Sequence, residues 1–271
     1  MKFNILFSPK RAERHPIEMM IIGIVYSSLA LFVSILLFPS QQSPIVMVFF
    51  TVISCIYVIQ GAIKIEETKD RGKNSEQWKF KHHLKLLFLL LFLFMGFVIS
   101  FSFWTFILPT NQVSTYFSMQ ELAVQGVRQS LTGNAVSAPS AGFFPILINN
   151  LKVLLTSLLL AFFFGAGAIY VLAWNASVMG FVIGNIAKES LGLIAIPIVS
   201  LKYFIHGIPE MLGYFTAALA GGIIYVAILR GDVLKNKRII RILIDVFVLI
   251  LVSIILLILG AALEVYVSPY V

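Results

Sequence analysis

Cysteine is almost absent from this chain: Cys55 stands alone inside an apolar run, so neither an intramolecular disulfide nor a cysteine metal cage is available to it. Charge is also scarce. Asp, Glu, Lys and Arg make up 12% of the residues, about half of the ~25% usual in a soluble domain. The signatures of common chemistries are missing too. There is no His-Glu-x-x-His, no Gly-x-Ser-x-Gly, no Gly-x-x-x-x-Gly-Lys-[Ser/Thr] and no dinucleotide fingerprint. No cofactor, metal or enzymatic activity is therefore expected.

What the chain has instead is apolar mass. Hydrophobic residues make up 59% of its 271 positions, and the mean hydropathy is +0.97. With a hydrocarbon core of about 30 Å needing about 20 apolar residues per crossing, this reads as an all-α polytopic membrane bundle. Acidic residues number 12 against 20 basic ones. In a soluble protein the surplus would suggest nucleic acid, but here the position of the basic residues matters more, and the expected surroundings are lipid and other membrane proteins. Sixteen of the 20 fall in three clusters, before residue 17, between 64 and 85, and between 230 and 241. The positive-inside rule puts all three in the cytoplasm.

Apolar runs at about 17–38, 45–63, 84–108, 146–172 and 242–263 read as crossings, with two shorter apolar pieces between 178 and 229. Parity then favours about seven crossings in the cell membrane, with a cytoplasmic, uncleaved N-terminus and an extracytoplasmic C-terminus. A broken or re-entrant segment is expected near 176–210, where Lys188-Glu189 interrupts an apolar run too short to cross. Three regions follow: a three-crossing part at 1–109, an extracytoplasmic loop at 110–142, and a membrane region at 143–271. Phe3, Ile5, Leu6 and Phe7 read as a lipid-surface contact, and His82-His83 as a polar edge. In the loop, Ser118 and Glu121 have capping-box spacing. Met119, Leu122, Ala123, Gly126, Val127 and Leu131 then share one helical face, and Gln120, Glu121, Gln125, Arg128 and Gln129 the other, which suggests an amphipathic helix on the outer surface.

Small residues recur at i, i+4, i+8 as Ser157, Ala161 and Gly165 and again as Gly213, Ala217 and Gly221, with Gly180 and Gly184 between them. Such stripes let membrane helices approach closely, and a homodimer could use them. Among polar residues at membrane depth, Asp245 is accounted for by Arg241 four residues earlier, and Lys152 by snorkelling to an interface. His206-Gly207-Ile208-Pro209-Glu210 stands apart. Pro209 removes a backbone donor and Gly207 loosens the turn, so a bend and a new helix start are expected near Glu210. Two readings of His206 and Glu210, with Lys188 and Glu189 nearby in sequence, stay open: a lock that holds the bend, with His206 bonded to Glu210 or Lys188, or a proton or ion site in a polar cavity.

From about residue 143 to 231 the chain resembles the stage II sporulation protein M family. Asn149-Asn150 opens a long helix, Gly165-Ala166-Gly167 lies late in it, and Asn175-Ala176-Ser177-Val178-Met179-Gly180 is similar to the family's Asn-Gly-x-x-x-Gly turn. His206-Gly207-Ile208-Pro209-Glu210 resembles its Pro-His-Gly-x-x-Glu element, with Ile205 in place of the proline and Ala176 in place of the first glycine. The resemblance implies a non-enzymatic membrane scaffold that, in endospore formers, anchors peptidoglycan-degrading partners. The alternative from the residues alone is a proton- or ion-coupled transporter or channel at a broken helix, and a remote one is an intramembrane hydrolase.

Overall fold

A computed structural model describes residues 16–38, 43–70, 76–132, 140–164, 168–190, 192–229 and 236–268. Among these, every regular element is helical: α1 (Pro16–Leu37), α2 (Ser43–Asp70), α3 (Glu76–Ile107), α4 (Thr110–Tyr116), α5 (Ser118–Thr132), α6 (Ser140–Phe164), α7 (Ala168–Glu189), a 3-10 turn (Gly192–Ile194), α8 (Ala195–Leu229) and α9 (Asn236–Tyr266). Six of them are long and apolar enough to cross a membrane: α1, α3, α6, α7, α8 and α9; α2 adds a shorter apolar stretch, Ser43–Ile56. The chain is thus an all-α polytopic membrane protein, because in lipid only a helix or a closed barrel satisfies every backbone group internally.

Helix boundaries follow the prolines and one glycine. Pro16 and Pro44 occupy first turns, where a backbone N–H has no helical partner to lose, and Pro109 caps α4 at φ −55°, ψ 148°. Gly192 has φ +73°, a left-handed conformation that turns the chain between α7 and α8.

The helices α6 to α8 bear on three expectations. The apolar run at 146–172 is not one helix: α6 stops at Phe164 and α7 starts at Ala168. Trp174 and Asn175 therefore lie inside α7, and the run that looked too short to cross is completed from its N-terminal side. The interruption expected within 176–210 lies beside Lys188-Glu189, between the end of α7 at Glu189 and the 3-10 turn Gly192–Ile194. Pro209, finally, starts no new helix, and α8 runs unbroken for 35 residues. A proline removes one intrahelical hydrogen bond, and in an apolar setting the turns on either side still have no alternative to helix.

Two compact units are present, one of residues 1–122 and 172–193, the other of 123–171 and 194–271. In the first, α1 and α3 lie so close that a Cβ on Gly23 would meet the Leu93 carbonyl at 2.7 Å. Ser28 Oγ sits 2.9 Å from Ser100 Oγ and accepts from the Trp104 indole N–H at 3.0 Å. Gly180 and Gly184 of α7 face α3: added Cβ atoms would meet Phe101 Cβ at 2.5 Å and the Ser102 carbonyl at 2.6 Å. Without a hydrophobic drive between helices already in lipid, such backbone-level approach is what gives the contact its dispersion energy.

The start of α5 differs from its amphipathic reading. Gln120, assigned to the outward polar face, is fully buried and donates to Ser177 Oγ at 3.0 Å, while Leu122, assigned to the inward face, is 61% exposed. Phe117 carries the helix from α4 into α5, since its N–H bonds to Val113 and its carbonyl accepts from Glu121. Its ring stacks on Phe181 and meets Phe101 edge-on. The helical moment was real, but tertiary packing against α7 set its direction. The side chains of Val127, Arg128, Gln129 and Leu131 lie outside the described residues, as do residues 1–15 with Phe3, Ile5, Leu6 and Phe7, and the His82 and His83 side chains.

Candidate functional site

In the second unit, α6 and α8 run parallel, and α9 runs antiparallel to α8. Ser157 Oγ on α6 donates to the Tyr214 carbonyl at 3.1 Å, and Gly221 lies against Leu158, Ala161 and Phe162. Gly213 faces Ser253 and Leu257 of α9, and Ala217 is fully buried. Small side chains thus line both seams of α8. Gly165, the last member of the first stripe, lies outside the described residues.

The polar residues of interest sit on these seams. Asn150 Nδ2 donates to Glu210 Oε1 at 2.6 Å, with Asn150 6% and Glu210 9% exposed. On the other side Glu210 is held against α9 at Gly260, where an added Cβ would come within 2.5 Å of Glu210 Cγ and 3.3 Å of the His206 carbonyl. Glu264, one turn beyond Gly260, is close enough to act electrostatically on Glu210. His206 Nδ1 lies 2.8 Å from Ser268 Oγ, two residues past the end of α9, and its ring meets Tyr203 edge-on. Gly207 is buried and Pro209 half-buried in the same stretch.

His206 and Glu210, one helical turn apart, therefore bond to different parts of the chain. The expected bond from His206 to Glu210 or Lys188 is replaced by Ser268 for the histidine and Asn150 for the carboxylate. Lys188 belongs to the first unit, where its ammonium donates to the Leu108 carbonyl, and Glu189 beside it is exposed. Asn149 is exposed and Asn175 half-buried, while Asp245 is exposed and its proposed partner Arg241 lies outside the described residues.

Sequence reasoning had both Asn150 and Glu210 but could not pair residues 60 positions apart. It missed Glu264, Ser268 and Gly260, whose only signal was three non-aliphatic residues at spacings of four along the end of an apolar helix. Among the described residues no group of three or more His, Cys, Asp or Glu side chains could hold a metal ion.

Long apolar helices, glycine-tight seams and ionisable groups bonded across those seams define a polytopic α-helical membrane protein. The sequence model of one family, stage II sporulation protein M, matches residues 45–269. The chain belongs to that family, and the match extends well outside the 143–231 stretch that carries the motif resemblance. No match was found among curated proteins or among solved structures.

Proposed function

We propose that this protein is a non-enzymatic integral membrane scaffold, a partner-recruiting component of a membrane or envelope assembly. The observation that carries this reading is the use made of Glu210 and His206. Each is buried on a helix seam in an unbroken helix, with Glu210 bonded to Asn150 of α6 and His206 to Ser268 just past α9. Groups that move an ion need a hydrated cavity and typically a discontinuous helix, whereas groups spent on interhelical bonds fix the register of a rigid bundle. A rigid bundle is what a recruiting surface requires. Family membership supports the same class of role.

The scaffold sits with its N-terminus and its three basic clusters in the cytoplasm and its C-terminus outside. The orientation rests on the basic clusters; the meeting of Lys188 with the Leu108 carbonyl supports only the parity behind it, since it brings the C-terminal ends of α3 and α7 to one level. Partners are other membrane proteins or a second copy of the chain.

The test is Glu210→Gln in the full chain. The amide keeps an acceptor for Asn150, so the variant folds, and cross-linked partner complexes in native membranes are recovered at the wild-type level. Reconstituted liposomes show no proton- or ion-coupled flux with either form. Wild-type flux that Glu210→Gln abolishes would replace the scaffold with a transporter.

A further inference from the structure

Lys152 stands where snorkelling does not account for it. An apolar run at about 146–172 puts this lysine six residues inside a crossing, within easy reach of an interface. In the structure α6 stops at Phe164 and its candidate span is Gly142–Phe163, which leaves Lys152 ten residues from one end and eleven from the other. At 1.5 Å per residue, that is about 15 Å from either end of the span. A lysine stem of five bonds reaches about 6 Å at ~1.5 Å per bond along a zigzag. The ammonium therefore stays in hydrocarbon.

The side chain also faces away from the bundle. Asn150, Leu154, Ser157 and Ala161 form the buried face of α6. On the opposite face Ile148, Leu155, Leu159 and Phe163 are exposed, and Asn149, Lys152 and Thr156 lie among them, exposed as well. At 3.6 residues per turn Lys152 falls at the middle of that exposed face. Thr156 spends its hydroxyl on the Lys152 carbonyl at 2.9 Å. Among the described residues, the Lys152 ammonium and the Asn149 amide have no hydrogen-bond or ion-pair partner.

Charged side chains at such depth are rare and almost always paired, because hydrocarbon does not solvate them. The candidate spans hold five acidic residues, Glu18, Glu189, Glu210, Asp245 and Glu264. Four of them lie within three residues of a span end, and Glu210 is buried on the α6–α8 seam, bonded to Asn150. A second copy thus has no exposed carboxylate in these spans to set against Lys152.

We propose that the exposed face of α6 docks a transmembrane helix of a different membrane protein, one that carries an Asp or Glu at mid-span to pair with Lys152. Asn149, three residues earlier on the same face, bonds the partner helix through its amide, and the apolar side chains around the pair supply packing. The charge makes the contact selective, since a purely apolar helix leaves the ammonium unpaired and a basic one repels it. The proposal rests on the scaffold reading for the existence of a partner and adds that partner's chemistry.

The test places a photo-cross-linker, p-benzoylphenylalanine, at Leu155 of the full chain in native membranes, with Ile255 on the exposed side of α9 as the control position. The expected result is a discrete protein adduct from position 155 and lipid adducts alone from position 255. The adducted peptide is a transmembrane segment with Asp or Glu near its centre. Lys152→Leu lowers the adduct yield several-fold, and Lys152→Arg keeps it. An adduct with a second copy, lipid adducts alone at both positions, a partner segment without a carboxylate, or a yield unchanged by Lys152→Leu each overturns the proposal. Lys152 makes no side-chain bond that folding could lose, and the identity of the adducted segment decides the matter by itself should Lys152→Leu fail to accumulate. None of these outcomes removes the scaffold reading, which falls on coupled flux in liposomes.

Discussion

Gly260 offers the sharpest test of how the second unit is held together. Replacing it with alanine puts a Cβ 2.5 Å from Glu210 Cγ and 3.3 Å from the His206 carbonyl. Carbon atoms in contact want about 3.5–4.0 Å, so α9 must retreat from α8 by about 1 Å or Glu210 must leave Asn150. Overpacking of this kind costs about 1–3 kcal/mol. Against it stands the gain of about 1 kcal/mol from replacing glycine in a helix interior. Gly222, on the same α8, supplies the control: a Cβ there meets nothing within 4 Å, so Gly222→Ala collects only the gain.

The expected result in detergent-induced unfolding is that Gly260→Ala lies about 1–3 kcal/mol below Gly222→Ala. In a Glu210→Ala background most of the penalty should vanish, leaving only the 3.3 Å contact with the His206 carbonyl, and a double-mutant cycle reads the difference as a coupling of similar size. If Gly260→Ala proves as stable as Gly222→Ala, or keeps its cost without the Glu210 side chain, the close approach of α9 to Glu210 is wrong.

Two further substitutions probe single bonds by the same unfolding measurement. Asn150→Leu removes the donor to Glu210 and should cost about 1–2 kcal/mol, near the upper range for interhelical hydrogen bonds in membranes; an unchanged midpoint would mean that the pair contributes nothing. Trp104→Phe keeps an aromatic ring beside Phe32 but loses the indole N–H donated to Ser28, so a loss of about 0.5–1.5 kcal/mol is expected, and wild-type stability would count against that bond.

Much of the architecture was legible in the chain because lipid constrains it so strongly. Apolar length alone gave an all-α bundle, and prolines located some helix ends, among them those at Pro16, Pro44 and Pro109. The small residues of α7 and α8 were visible as stripes, and the structure places them at helix seams. Periodicity failed at α5, where a polar residue faces inward because Ser177 is there to receive it, and at Pro209, where an apolar environment carried the helix through a residue that would break it in water. The pairing of Asn150 with Glu210 and of His206 with Ser268 had no local signal, since each joins positions about 60 residues apart in sequence.

The sequence by itself determined the solvent this protein lives in, the helical class and the family motifs, because hydrophobic length and backbone hydrogen bonding leave few alternatives in a bilayer. Only the tertiary structure decided which polar groups are spent on each other, and across which seam. That choice depends on helix register across the seams, a long-range property set by where glycines let one backbone meet another.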